Sequence, residues 1–222
     1  MQSGATRAAV LGASDGLVTN VSLILGVAGA TQGGNVVLIA GLASLVAGAA
    51  SMAVGEYVSM TAQVELLQRL LADYRKHLSL APEDAREEIE EFIRRGGVQQ
   101  ATAHNASQQI AMVPDRALAV YARSLGLDPE ELGSPWKAAL TSLWTFAAGA
   151  LVPLLPWFFR SGIDAAVASI ALGGAAAIAV GGTLGYLGGR NLVWSAARQL
   201  IALALAAAAT WGAGRLFHVT VT

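Results

Sequence analysis

Long apolar stretches along this chain are interrupted once by a polar stretch. An apolar helix needs about 20 residues to cross a lipid bilayer. Five segments meet that length, and they are residues 8–31, 36–58, 136–159, 162–188 and 196–217. The first two are joined by the sequence QGGN at residues 32–35, which is typical of a turn. We therefore predict that they form an antiparallel hairpin.

The polar stretch has the periodicity of helices. From residue 59 to residue 78 the pattern continues without Gly or Pro, so the second segment is predicted to extend beyond the membrane as one helix. Three more helices are predicted, over residues 82–95, 98–112 and 114–126. A proline begins the first and third of these, and a Gly-Gly pair ends the first. These helices are predicted to form a small domain.

Composition supports this division. The 222 residues are 55% hydrophobic and 13% charged, whereas soluble domains carry about 25% charged residues. Most of the charges lie between residues 65 and 137. The formal net charge of −1 gives no indication of a nucleic-acid partner, and the absence of cysteine excludes disulfides and thiolate metal sites. The N-terminal sequence lacks the features of a cleaved signal peptide.

The predicted fold class is an all-α integral membrane protein with five transmembrane helices. Its domains are a transmembrane hairpin at residues 1–58, a cytoplasmic helical domain at 59–135 and three transmembrane helices at 136–222. The side that we assign as cytoplasmic carries the larger share of the flanking basic residues, Arg7, Lys137, Arg190 and Arg198, against Arg160 and Arg215 outside. The N-terminus is therefore predicted inside, and an odd number of spans places the C-terminus outside.

Three side chains in the hairpin are unusual for a lipid environment: Asp15, Met52 and Glu56. A carboxylate at mid-membrane costs about 2.5–3.5 kcal/mol on insertion scales. Met52 and Glu56 share a helix face because they are four residues apart. In an antiparallel hairpin, Asp15 and Glu56 should lie at a similar depth near the cytoplasmic side. Two close carboxylates share a proton unless a cation is bound, which is the coupling that a metal/proton exchanger needs.

The combination of carboxylates with a thioether indicates which metals would bind. It disfavours Mg²⁺ and Ca²⁺, which prefer oxygen ligands alone, and suits Fe²⁺ better, with Mn²⁺ also possible. Simpler interpretations remain open for each residue. Asp15 could lie at the interface or cap a broken helix, Glu56 could be a solvated interface residue, and Met52 could fill the core.

Small residues and prolines shape the surroundings of this predicted site. The second segment has a stripe of small residues that lets another helix approach closely, formed by Gly41, Ser44, Gly48, Ser51 and Gly55. In the third segment, Pro153 and Pro156 should bend or loosen the helix and shape the opening of the path.

The polar domain contains a second, weaker candidate. The acidic run includes Glu87, Glu88 and Glu91 on one helix face, which is either a solvated surface or a metal-collecting patch. His77 and His104 have no partner at metal-ligand spacing and are interpreted as structural or exposed. No catalytic constellation or nucleotide-binding motif is present, so an enzyme is not expected.

Three stretches are similar to the vacuolar iron transporter family. They are DGLVTNVSLILGVAGA from Asp15, GLASLVAGAASMAVGEYVSM from Gly41, and LGLDPEELGSPWKAALTSLWTFAAGALVPLLPWFF from Leu125. The resemblance implies five membrane helices and a homodimer with the ion path at its interface. It also implies proton-coupled export of Fe²⁺, with Mn²⁺ as a further substrate. The path residues of the family fall on Asp15 and Met52, and the glutamate of the second motif falls on Glu56.

The resemblance weakens in the polar domain. The family's second acidic pair corresponds to Glu88 and Glu91, while an earlier pair is replaced near His77 and Leu80. Two methionines and one acidic residue of the family correspond here to Val120, Tyr121 and Ser124. The domain is therefore expected to be poor in metal ligands and to serve mainly in dimerisation.

We therefore predict an exporter of Fe²⁺ and Mn²⁺ from the cytosol into a vacuole or out of the cell. Protons are the coupling ion, and no tightly bound cofactor is expected. The predicted location is the plasma (inner) membrane in a bacterium and the vacuolar membrane in a eukaryote. The alternative is a metal-responsive membrane sensor or scaffold that binds metal without transporting it.

Overall fold

The computed structural model describes residues 4–31, 33–126 and 134–216. Within those residues the chain is helical, with short turns between the helices. The helices are α1 (Gly4–Ala30), α2 (Gly34–Leu80), α3 (Pro82–Arg95), α4 (Gln100–Ala111), α5 (Pro114–Ser124), α6 (Pro135–Leu154), α7 (Gly162–Leu187) and α8 (Leu192–Leu216). One turn of 3-10 helix, Leu155–Phe158, follows α6.

The chain divides into two compact units. One consists of Met1–Tyr57 with Pro135–Thr222 and is called the membrane unit below; the other is Val58–Ser134, the intervening domain. Among the described residues, five helices are long and apolar enough to cross a membrane, namely α1, α2, α6, α7 and α8. The protein is therefore a multi-pass membrane protein, as the hydrophobic pattern predicts.

Helix α1 is the centre of the membrane unit. It packs against α6, α7 and α8. Its most apolar window is 44% buried, compared with 17% for α2 and 11% for α8. Leu17, Val21 and Leu25 of α1 form a buried cluster with Ala177 of α7 and Leu203 of α8. The exposed side chains of α1 therefore occupy only the part of its surface that α6, α7 and α8 do not cover.

Helices α1, α6 and α8 run in the same direction. The side chain of Asn20 donates a hydrogen bond of 2.6 Å to the carbonyl of Ala150 in α6. Near the start of α1, the Ser14 hydroxyl accepts a hydrogen bond of 2.6 Å from Gln199 of α8. Later in α1, the Ser22 carbonyl accepts one of 2.7 Å from Thr210. Successive residues of α1 thus meet successive residues of its partners.

Helix α2 runs against this direction within the membrane unit. Gly41, near its start, lies against Leu154 at the end of α6. Gly48, two turns later, lies against Phe146, which is earlier in α6. At both positions a Cβ would overlap the far end of a side chain of α6, so that side chain would have to shift. Two members of the predicted small-residue stripe therefore contact helices of the same chain.

Two of the helix boundaries that differ from the sequence prediction have a local chemical cause. The last helix begins at Leu192, not at residue 196, because the Asn191 side chain accepts a hydrogen bond of 3.1 Å from the Trp194 amide and caps the helix. Helix α6 ends at Leu154 and continues as a 3-10 turn, where Pro153 and Pro156 provide no amide hydrogen for α-helical bonding.

The intervening domain follows the predicted helix order. Helices α3 and α5 begin at Pro82 and Pro114, as predicted, while α4 is shorter than residues 98–112. Its core contains Tyr74, Ala85 and Leu118. The ring of Tyr74 stacks on that of Tyr121, with centroids 3.7 Å apart and planes 2° from parallel. This ring pair holds the end of α2 against α5.

Candidate metal-translocation site

The packing of α1 on α6 positions Asp15. A Cβ at Gly16 would overlap the carbonyl of Phe146, and one at Gly12 would lie 3.0 Å from the carbonyl of Ser142. Glycines on this face thus bring the two backbones into contact on either side of Asp15. The Asp15 carboxylate itself is exposed and accepts a hydrogen bond of 3.3 Å from the Thr19 hydroxyl.

Met52 of α2 packs on a buried cluster that contains the same residue of α6. Phe146, Ala49 and Ala150 form a buried cluster, and the partly buried Met52 lies against it. Phe146 is therefore contacted by α1 through Gly16 and by α2 through the Met52 cluster. Asp15 and Met52 consequently lie at the same depth of the membrane unit, to within about one helical turn of 5.4 Å.

Glu56 lies one turn beyond Met52 and is partly buried. The next residue, Tyr57, packs its ring 4.8 Å from that of Trp136 at the start of α6. The antiparallel hairpin thus brings Met52 to the depth of Asp15. It places Glu56 about one turn nearer to the end of the membrane unit where Tyr57 and Trp136 lie. Among the described residues, no three His, Asp or Glu side chains lie close enough to hold a metal ion.

The two prolines lie elsewhere in the membrane unit. Both are buried, and the carbonyl of Pro153 accepts a hydrogen bond of 2.7 Å from the Ser169 hydroxyl. Along α6 they are about 10 Å or more from Phe146, at 1.5 Å per residue. The two prolines lie at the end of the membrane unit opposite to Tyr57. If they shape an opening of the path, it is the opening at that end.

The acidic residues of α3 have basic neighbours. Glu88 lies 3.6 Å from His77, and Glu91 accepts a hydrogen bond of 2.6 Å from Arg95, while Glu87 is exposed. The hydrogen bond from Arg95 and its charge lower the pKa of Glu91. The predicted patch is thus partly occupied by ion pairs on its own helix and with α2.

A groove between α3 and α5 contains two of these acidic residues. Glu88 and Glu91 line a groove of about 320 Å³ with Val120, Tyr121 and Ser124 of α5. The α5 side of this groove offers aliphatic, phenolic and hydroxyl groups where carboxylate and thioether ligands are expected. These groups on α5 are poorly suited to binding Fe²⁺.

Sequence reasoning missed the partners of the histidines. His104 Nδ1 lies 2.9 Å from a Glu90 carboxylate oxygen, and Arg86 bonds both Glu90 at 3.3 Å and Glu83 at 2.9 Å. The acidic run was a usable signal for one partner. The rotation of α4, which decides that His104 faces α3, was not readable from residue spacing.

Asn20 was also missed. It is fully buried in α1, and its bond to the Ala150 carbonyl ties α1 to the helix turn that carries Phe146. A signal was present, because an amide inside an apolar segment is costly unless it is hydrogen-bonded. Asn20 therefore supports the position of Asp15 from the buried side of the same helix.

Comparison with known proteins identifies the chain's relatives. The profile of the VIT family matches residues 6–215. Vacuolar iron transporter homolog 2 of Oryza sativa subsp. japonica is 36% identical over 217 residues, which cover 95% of this chain and 89% of the relative. The vacuolar iron transporter of Acanthamoeba castellanii is 35% identical over 222 residues, covering 96% and 79%. Vacuolar iron transporter homolog 1 of Arabidopsis thaliana is 32% identical over 211 residues, covering 95% and 82%. This chain belongs to the vacuolar iron transporter family.

Proposed function

We propose that this protein exports Fe²⁺, and also Mn²⁺, from the cytosol in exchange for protons. The observation that carries the proposal is the common depth of Asp15 and Met52 on either side of Phe146, inside a unit of membrane-spanning helices. The relatives that cover most of the chain and are named vacuolar iron transporters support iron as the substrate.

The chemistry of the two side chains fits a transition metal. A carboxylate has about four lone-pair sites, so the hydroxyl bond from Thr19, which is the one that Asp15 accepts among the described residues, leaves capacity to bind a cation. The thioether of Met52 is a soft ligand that Mg²⁺ and Ca²⁺ do not prefer. Together they favour Fe²⁺ over the hard cations that are abundant in cells.

A second copy of the chain would complete the ligand set. One chain does not bring three acidic or imidazole ligands together among its described residues. In the membrane unit, α2 has an exposed face of small residues, formed by Ala43, Ala47, Ala50, Ser51 and Gly55. Such a face lets a partner helix approach closely in lipid. We therefore propose a homodimer with the path between the two α2 helices, where Asp15, Met52 and Glu56 would each be present twice.

Proton coupling follows from the carboxylates. Asp15 and Glu56 lie within about one to two helical turns of the same depth, and dimerisation would double their number. Carboxylates that face each other in a low dielectric bind protons when the path is empty and release them when a divalent cation enters. With the N-terminus in the cytosol, metal would enter near Glu56 and leave at the far end. The membrane would be the plasma (inner) membrane in a bacterium or the vacuolar membrane in a eukaryote.

Transport can be tested in proteoliposomes that enclose a metal-quenched dye. With a pH gradient imposed, Fe²⁺ or Mn²⁺ is added outside, and dye quenching is followed for wild type, Asp15→Asn and Met52→Ala. We expect gradient-dependent quenching, slowed about tenfold or more in both variants. Asp73→Asn, which changes an exposed carboxylate of the intervening domain, is the matched control and should transport normally.

The competing function is a sensor or scaffold that binds metal without moving it. Metal binding by the wild type with no quenching, in vesicles where another metal transporter works, would establish that alternative. Quenching that Asp15→Asn leaves unchanged would show transport by a path that does not use this site.

A further inference from the structure

A large groove lies at the end of the membrane unit away from Tyr57 and Trp136. Its volume is about 830 Å³, within the range of about 300–1,000 Å³ that is usual for small-molecule sites. The walls are the end of α1, the start of α7 and the later part of α8, with Leu25, Ile170 and Ala208 among the lining residues. These wall residues are mostly apolar, so the occupant must be largely apolar too.

The groove runs along the axes of α7 and α8. On α7 it extends from Ile163 to Ile170, and on α8 from Ala204 to Trp211. Seven residues of helix correspond to about 10 Å, so the groove reaches from the helix ends well into the hydrocarbon region. In a bilayer, that shape and depth match a lipid acyl chain.

One wall of the groove is rigid. Trp157 lines the groove and is nearly fully buried, and its indole N–H donates a hydrogen bond of 2.9 Å to Ser169. The Ser169 hydroxyl in turn donates to the Pro153 carbonyl at 2.7 Å. The indole is therefore fixed in place before any ligand arrives, which lowers the entropic cost of binding.

Opposite charges flank the mouth of the groove. Asp164, in the first turn of α7, lines the groove and is exposed. Trp211 lines it on the α8 side, and the Arg215 guanidinium lies over the Trp211 ring at 4.9 Å. An anion and a cation at one mouth complement a headgroup that carries an ammonium and a phosphate.

We propose that this groove binds a zwitterionic membrane phospholipid. An acyl chain lies between α1, α7 and α8, the headgroup ammonium meets Asp164, and the phosphate meets Arg215. The proposal does not depend on transport, since the groove lies at the other end of the bundle from Asp15 and Met52.

Native mass spectrometry of the purified full chain tests the proposal. The protein is delipidated, then incubated with dioleoyl phosphatidylethanolamine, dioleoyl phosphatidylglycerol or dioleoylglycerol as probes. We expect the ethanolamine lipid to bind best. Ala208→Trp fills the groove and should weaken its binding about tenfold. Ala209→Trp adds the same bulk at a neighbouring exposed position that does not line the groove, and should bind as wild type does.

A second variant separates headgroup recognition from groove shape. Asp164→Asn keeps the shape of the groove and removes the partner of the ammonium. The preference for phosphatidylethanolamine over phosphatidylglycerol should therefore fall about threefold. Equal binding of dioleoylglycerol and the ethanolamine lipid would overturn headgroup recognition. If Ala208→Trp and Ala209→Trp weaken lipid binding equally, the groove is not the lipid site. The same conclusion holds if Ala208→Trp abolishes self-association and leaves lipid binding unchanged.

Discussion

Gly16 of α1 lies directly against the backbone carbonyl of Phe146 in α6, with no side chain between them. Since Asp15 precedes Gly16, this contact sets how far the Asp15 carboxylate is from α6. We expect Gly16→Ala to push the helices apart and lower stability by about 1–3 kcal/mol, the usual cost of overpacking. Thermal unfolding in detergent measures this.

The control for that change is Gly182→Ala on α7, where a Cβ meets nothing within 4 Å. It should leave the unfolding temperature unchanged or raise it slightly, because alanine favours helix. Equal effects of the two substitutions would show that helix propensity, and not the contact with Phe146, decides the outcome.

Met52 can act through its sulfur or through its shape. Met52→Leu keeps the packing against the cluster of Ala49, Phe146 and Ala150 and removes the thioether. Such volume-conserving exchanges usually cost less than about 1.5 kcal/mol. We expect the unfolding temperature to be nearly unchanged while Fe²⁺ transport falls more than Mn²⁺ transport, measured as rates of dye quenching. An equal fall for both metals would assign Met52 a packing role.

The phenol of Tyr74 should titrate at an unusually high pH. Burial, reinforced by the charge of Glu88, raises its pKa from 10.0 to about 12. The folded pKa is above the unfolded value, so the phenol contributes stability that is fully present below pH 10 and is lost as the pH rises towards 12. We expect the intervening helices to lose ellipticity in this range, with tyrosinate absorbance appearing at the same time.

Tyr74→Phe keeps the ring that stacks on Tyr121 and removes the hydroxyl that donates a hydrogen bond of 3.2 Å to the Ala85 carbonyl. The late absorbance step should disappear in this variant. If every tyrosine of the wild type titrates at its ordinary pKa, the environment of Tyr74 does not raise the pKa of its phenol.

Ser169 connects two elements through one hydroxyl. It accepts a bond from Trp157 and donates one to the Pro153 carbonyl. Ser169→Ala leaves both groups buried without this partner, which should cost about 1–3 kcal/mol and change the fluorescence of Trp157. Thr183→Ala on the same helix removes an exposed hydroxyl that bonds only its own helix, and should have little effect. Unchanged unfolding in Ser169→Ala would mean that water replaces the hydroxyl.

Local signals in the sequence were enough to predict much of this fold. Apolar length gives the membrane helices, and Pro82 and Pro114 mark helix starts within one residue. The cap at Asn191 was overlooked, and the predicted start of the last helix was residue 196, four residues after the observed start at Leu192. Helix periodicity therefore locates elements well and places their ends less well.

The candidate site was predictable in composition and less so in geometry. The carboxylates of Asp15 and Glu56 and the thioether of Met52 could be recognised as unusual from the sequence. Only the packing around Phe146 indicates that Met52 shares the depth of Asp15. The bond from Asn20 to Ala150 joins residues 130 positions apart. Such long-range pairs depend on helix rotation and register, which residue spacing in one helix does not contain.

The central place of α1 has a consequence for how the protein is made. The ribosome delivers α1 before the other described helices, yet its polar groups find partners in helices that emerge much later. Ser14 and Ser22 are bonded to residues 185 and 188 positions further along the chain. Until synthesis is nearly complete, the Ser14 hydroxyl and the Ser22 carbonyl lack these tertiary partners, and a chain that stops before α8 never acquires them. Premature termination in the last helix should therefore be recognised by membrane quality control as a failure of the first one.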